Sequence, residues 1–94
     1  MTRLAWDASF RRAFKRRARN NLVLREQIFE VLAKLSEDPF DPGLKTHKLS
    51  GQLKELWACW VEYDCRIVFA LERVPDTGEE VIVLIDIGTH DEVY

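Results

Sequence analysis

The apolar residues of this chain change their period once, and that change limits what it can fold into. In the first part Leu24, Ile28, Val31, Leu32 and Leu35 recur at the three-and-four spacing of a helix face. In the second part LWACWVE, DCRIVFALE and EEVIVLIDIG read as three strands. DPFDPG at 38–43, with two prolines and a glycine, forces a loop between the two regimes. An earlier helix places Phe10, Phe14 and Ala18 on one face, while Arg11, Arg12, Lys15 and Arg19 cover much of the rest. Asp7 or Ser9 caps it, because a short side-chain oxygen satisfies a free amide of the first turn. RLAW at 3–6 reads as a short strand before it, Asn20 and Asn21 break it, and Asp76-Thr77-Gly78 supplies the last hairpin turn. The expected fold is α+β in the order β-α-α-β-β-β. An antiparallel helix pair packs on a mostly antiparallel four-stranded sheet, as one domain over residues 1–94.

Composition narrows the setting. With 47% hydrophobic and 32% charged residues, the 94-residue chain is globular rather than disordered. No apolar run approaches the roughly 20 residues that span a bilayer, so no membrane partner is expected. MTRLAWDASF is too polar for the apolar core of a secretory signal. The two cysteines, Cys59 and Cys65, make no CxxC pair. A reducing, cytoplasmic setting follows as the expectation. The net charge of −2 hides an asymmetry. Residues 1–35 hold nine basic against three acidic side chains, a net of +6, and the remainder holds five against thirteen, a net of −8. Two readings of the basic third stand side by side: a surface for nucleic acid, or a solvated helix face.

Alternation along the strands assigns faces. Trp57, Cys59 and Val61, then Cys65, Ile67, Phe69 and Leu71, then Val81, Val83, Ile85 and Ile87 are the apolar sets expected under the helices. The opposite face would carry Trp60, Glu62, Asp64, Arg66, Asp86 and, at the same parity, His90. It would also expose an apolar patch of Val68, Ala70, Ile82 and Leu84, too large for a monomer to leave bare. If Trp60 opposes Asp64 across the hairpin, Cys59 opposes Cys65 on the core side. A zinc site of His47, His90, Cys59 and Cys65 is disfavoured, because the cysteines point away from the histidine face.

THKLSG at 46–51, YDCRIVF at 63–69 and the closing IGTHDEVY together resemble the RelE/ParE superfamily of bacterial toxins, nearest to the YafQ-like mRNA endonucleases. The resemblance covers almost the whole chain, including LAWDASF near the start. It implies a RelE-like fold and a toxin of a type II toxin–antitoxin system. The implied activity is ribosome-dependent endoribonuclease cleavage of mRNA in the ribosomal A site. The implied partner is a cognate antitoxin of the RelB or DinJ kind. It carries His47 onto the histidine of the K/H-x-L-x-G segment, Asp64 onto the acid before the third strand, and His90 onto the closing GTH motif. Arg66 matches the arginine of the RelE strand YRLVY, and Tyr94 a near-terminal aromatic. Trp60 departs from the pattern, standing where YafQ-like toxins have histidine and RelE has lysine.

The residues suit that chemistry. RNA is cleaved without metal when its 2′-OH attacks the adjacent phosphorus, and no cofactor is expected. Histidine moves protons near neutral pH, so His47 and His90 form the acid/base pair, their individual roles open. Arg66 offers a planar fork to the phosphate. Asp64 acts as a base or orients a histidine. Trp60 stacks on an unpaired base, a contact worth roughly 1–3 kcal/mol, with Lys48, Lys54 and Tyr94 as further RNA contacts. Arg11, Arg12, Lys15, Arg16 and Arg19 would meet ribosomal RNA. Duller readings stand beside these: Arg66 as a surface ion pair with Asp64 or Glu62, Trp60 as a cover for apolar neighbours, and Tyr94 as an anchor for the chain end. Two rival functions are a ParE-like inhibitor of DNA gyrase and a degenerate toxin that only binds.

Overall fold

A computed structural model of the chain describes residues 2–51 and 55–89. Strand β1 (Arg3–Trp6) leads into helix α1 (Ala8–Ala18) and helix α2 (Leu22–Glu37), followed by β2 (His47–Lys48), β3 (Trp57–Glu62), β4 (Cys65–Arg73) and β5 (Glu80–Gly88). The sheet has five strands in the order β1-β5-β4-β3-β2, with β1 parallel to β5 and every other pairing antiparallel. The class is the expected α+β, but the expected four strands become five. The added strand is two residues at an edge, too short to leave a periodic signal in the sequence.

Local chemistry accounts for the joints. The Asp7 carboxylate accepts the Ser9 amide at 3.0 Å and caps α1, and Asn21 Oδ1 accepts the Leu24 amide at 3.0 Å and caps α2. Ser36 ties the end of α2 to the start of β1, its hydroxyl donating to the Thr2 carbonyl at 2.7 Å. In the proline loop Asp38 and Asp41 each accept an amide two residues ahead, which folds the chain into a short 3-10 turn over Pro42–Leu44. Thr46 donates to the Pro39 carbonyl at 2.5 Å, and the loop delivers β2 to the edge of β3.

The main core lies between the helices and one sheet face. Phe10, Ile28, Leu35, Cys59, Ile67, Phe69, Ile82, Leu84 and Ile87 are all essentially inaccessible there. Leu24, Ile28, Val31, Leu32 and Leu35 of α2 all face this core, as their spacing required.

Two irregularities correct the face assignments. On β5 the register shifts between the Val68↔Asp86 and Phe69↔Leu84 pairs, leaving Ile85 as an extra residue. The parity reverses there: Ile82 and Leu84 enter the helix-side core, and Val81 and Val83 take the opposite face with Ala5 of β1 and Ala70 of β4. The expected patch of Val68, Ala70, Ile82 and Leu84 therefore does not exist. Two of its members are in the core, and Val68 lies under Leu49 and Leu56 in a small second cluster with Ala58 and Ile85. On β3 the register shifts between Trp60 and Glu62, so Trp60 pairs with Arg66, Cys59 with Ile67, and Glu62 with Cys65. The extra residue, Val61, takes Glu62 off the face of Trp60.

Candidate active site on the open face of the sheet

The shifted hairpin makes Trp60 and Arg66 direct cross-strand neighbours on the face away from the helices. The Arg66 guanidinium carbon lies 4.1 Å from the centroid of the Trp60 ring. Its head folds back over the hairpin turn, where Nη1 donates to the Glu62 carbonyl at 2.8 Å and the Tyr63 carbonyl at 2.6 Å. Arg66 is only 4% exposed, and its buried Nε has no hydrogen-bond partner among the described residues. The surface ion pair with Asp64 or Glu62 is not what forms: the partners of Arg66 among the described residues are carbonyl oxygens and an indole. Among the described residues it meets no carboxylate, and a cation taken out of water without one is costly.

Lys45 reaches the same ring from the β2 side of β3. It caps the 3-10 turn in a left-handed conformation, φ 52°, which costs a non-glycine residue roughly 1–2 kcal/mol. Its Nζ stands 4.1 Å from the Trp60 centroid. His47 pairs with Ala58, two residues before Trp60, so Lys45, two residues before His47, flanks Trp60 opposite to Arg66. The imidazole is oriented by the same segment: His47 Nδ1 is 3.0 Å from the Lys45 carbonyl, which places the proton on Nδ1 and makes Nε2 the acceptor in the neutral ring. Asp64 stands exposed at the tip of the hairpin whose carbonyls Arg66 holds.

The structure thus brings His47, Trp60 and Arg66 to one face, with Asp64 at its rim. Lys48 does not join them. It pairs with Trp57, and its Nζ lies 5.8 Å over that ring, on the helix side. Alternation along two residues of β2 separates it from His47. Both Lys45 and Arg66 stand against the Trp60 ring, where a stacked base would have to compete with them. His90, Tyr94 and Lys54 lie outside the described residues. Lys45 escaped the sequence reading because only the β2–β3 register brings it to Trp60.

Cys59 and Cys65 lie in the helix-side core, on the other side of the sheet from His47. Burial pushes the Cys59 thiol up to about 12, helped by the neighbouring Cys65, and burial with the nearby Glu62 pushes Cys65 up to about 11. Both stay protonated at neutral pH, unsuited to nucleophilic or metal-binding roles. No group of three or more potential metal-binding side chains gathers among the described residues.

A second charged feature sits at the corner between the helices. Arg11, Arg12, Lys15, Arg16 and Arg19 are exposed along α1. Lys15, Arg16 and Arg19, joined by Arg17 and Arg25, line an open cleft of about 850 Å³ beside the start of α2, whereas Arg11 and Arg12 do not.

The family model described as a bacterial toxin of type II toxin–antitoxin system, YafQ, matches residues 2–94. The chain belongs to the YafQ toxin family. Solved structures agree on the fold of this YafQ-family chain. A YoeB/ParE toxin from Agrobacterium tumefaciens superposes with a TM-score of 0.78 at 19% identity, over 95% of this chain and 99% of that one. YafQ from E. coli superposes with a TM-score of 0.66 at 14% identity, over 100% and 99%. The YoeB–YefM complex from Staphylococcus aureus contains a chain with a TM-score of 0.72 at 15% identity, over 96% and 98%. No curated protein matches the sequence significantly.

Proposed function

We propose that this toxin is a metal-independent endoribonuclease that cleaves mRNA in the ribosomal A site. The observation that carries the reading is Arg66: a buried guanidinium, held by hairpin carbonyls and an indole, with its Nε unpartnered among the described residues. Such a group is prepared for the charge that grows on a phosphorane, and its partners fix it in advance. In the reaction the 2′-oxygen attacks phosphorus and loses its proton to a base. The bond to the 5′-oxygen breaks, and that oxygen takes a proton from an acid. The products are a 2′,3′-cyclic phosphate and a free 5′-OH. His47 and His90 share the proton transfers, and Asp64 supports them from the hairpin tip. The basic corner of α1 and α2 supports docking on ribosomal RNA, since a cleft lined by Lys15, Arg16, Arg19 and Arg25 attracts phosphates. By analogy with the YoeB–YefM complex, a cognate antitoxin of the RelB or DinJ kind holds the toxin in the cytoplasm.

Induction of the toxin alone, followed by mapping of new mRNA ends, tests the reading. Wild type should generate new ends within translated frames. Arg66→Ala should lower cleavage by about 10²–10³-fold, and Arg66→Lys should recover only part, because it keeps the charge and loses the fork. Undiminished cleavage by Arg66→Ala would overturn the reading. Growth arrest without new mRNA ends would favour a gyrase-directed or binding-only toxin, and Trp60 in the family's histidine position favours the binding-only reading.

A further inference from the structure

We infer that Lys45 is a second phosphate-binding cation of the RNA site, held in place beside Arg66 by Trp60. This rests on the ribonuclease reading for its substrate, and on geometry for the rest. Two positive heads stand 4.1 Å from the centroid of one indole, reached from opposite neighbours in the sheet. Neither head has a carboxylate partner among the described residues. The electron-rich ring offsets part of the repulsion between them, as cation–π contacts do. It does not neutralise either charge, so the pair remains complementary to the phosphodiesters of a single strand crossing this face.

The backbone fixes where Lys45 points. Its own amide bonds the Pro42 carbonyl at 3.2 Å, its carbonyl meets the His47 ring at 3.0 Å, and the next residue, Thr46, is tied to Pro39 at 2.5 Å. A lysine on a loose loop would sample many directions, whereas this one starts from a fixed φ of 52°. Trp60 is then a positioning residue. It spaces two cations that both stand against its ring. The same Lys45 that meets the strand also orients His47, so the phosphate contact and the histidine are parts of one segment.

Equilibrium binding of a short single-stranded RNA, 2′-O-methylated so that it cannot be cleaved, tests the proposal across a salt series. Lys45→Gln should weaken binding about 5–10-fold at low salt. It should also make the slope of log affinity against log salt shallower by about 0.7, the loss of one single-strand phosphate contact. Lys45→Arg should restore both. Trp60→Leu should weaken binding, and Trp60→Phe, which keeps a ring for the cations, should weaken it less. Circular dichroism and thermal melting of each variant exclude unfolding. In cleavage, Lys45→Gln should raise KM more than it lowers kcat. An unchanged salt slope in Lys45→Gln, or no measurable binding by wild type, overturns the subsite. If the slope changes as stated but wild type cuts no RNA, the subsite stands and the ribonuclease reading falls.

Discussion

The two faces of the sheet are built by opposite uses of burial. Under the helices, burial removes apolar side chains from water and keeps two thiols neutral. On the open face, a small lid of Leu49 and Leu56 covers Ala58 and Val68, while the adjoining Arg66 is almost as deeply buried but charged. The first face stabilises the fold through area removed from water. The second gives up some of that stabilisation to hold a cation in a fixed place. Function therefore gathers at the buried charge rather than at the largest apolar surface.

The sharpest way to break this division is to exchange the faces of β5. Ile82 is inaccessible in the helix-side core, and Val83, its neighbour, faces the other way and is half-buried. Ile82→Asn leaves a cavity and an unsatisfied amide, and should cost about 3–5 kcal/mol in urea unfolding. Val83→Asn should cost about 1 kcal/mol. The reverse order would mean that β5 alternates without its bulge, with Val83 inside.

That pair of residues also marks how far the sequence was legible. The helices, their apolar faces and the order of β1, β3, β4 and β5 along the chain follow from local period and caps. The face of each β5 residue does not, because one extra residue at Ile85 inverts the parity and residues 81–85 are all β-branched or leucine. The same holds for the site. Arg66 and Trp60 were visible as polar or aromatic breaks in an apolar alternation, but their pairing depends on the Val61 bulge. Lys45 and the wrong-sided Lys48 depend on the two-residue strand β2, whose register is set by a loop folded through Asp38, Asp41 and Thr46. Non-local pairing leaves no periodic trace.

A second test sharpens the contrast through pH. The Cys59 and Cys65 thiols are raised from 9.0 to about 12 and about 11, so the folded state favours their neutral forms. Their contribution is complete below pH 9, where both states carry protonated thiols. It is lost as pH rises from 9 towards the folded values, because the unfolded chain ionises first. Each thiol adds a slope of up to about 1.4 kcal/mol per pH unit in that window. Urea unfolding at pH 8, 9 and 10 should show the decline, and the Cys59→Ala, Cys65→Ala double variant should flatten it. An unchanged slope in the double variant would mean that the thiols are not sealed on the helix side.

The smallest effect concerns the device that links the two faces. Ser9 Oγ lies 2.5 Å from the carbonyl of the bulged Ile85 and 2.5 Å from the capping Asp7 carboxylate, so one hydroxyl proton serves both acceptors. A bulge takes a residue out of the ladder, and its backbone groups then need other partners. Here the start of α1 supplies one. The same hydroxyl, with the Ser9 amide, holds the Asp7 carboxyl below its usual range. Ser9→Ala should cost about 1 kcal/mol at neutral pH. It should also move Asp7 back towards ordinary acidity, read by NMR titration. The sign is that of a depressed carboxylate: its contribution is present above the unfolded value near 3.8 and is lost as pH falls through the lower folded value. Ser9→Ala should therefore weaken the dependence of stability on pH in acid as well as stability itself. Loss of stability with no movement of the Asp7 titration would assign the hydroxyl to the Ile85 carbonyl alone, and with it to the bulge that turns Ile82 and Leu84 towards the helices.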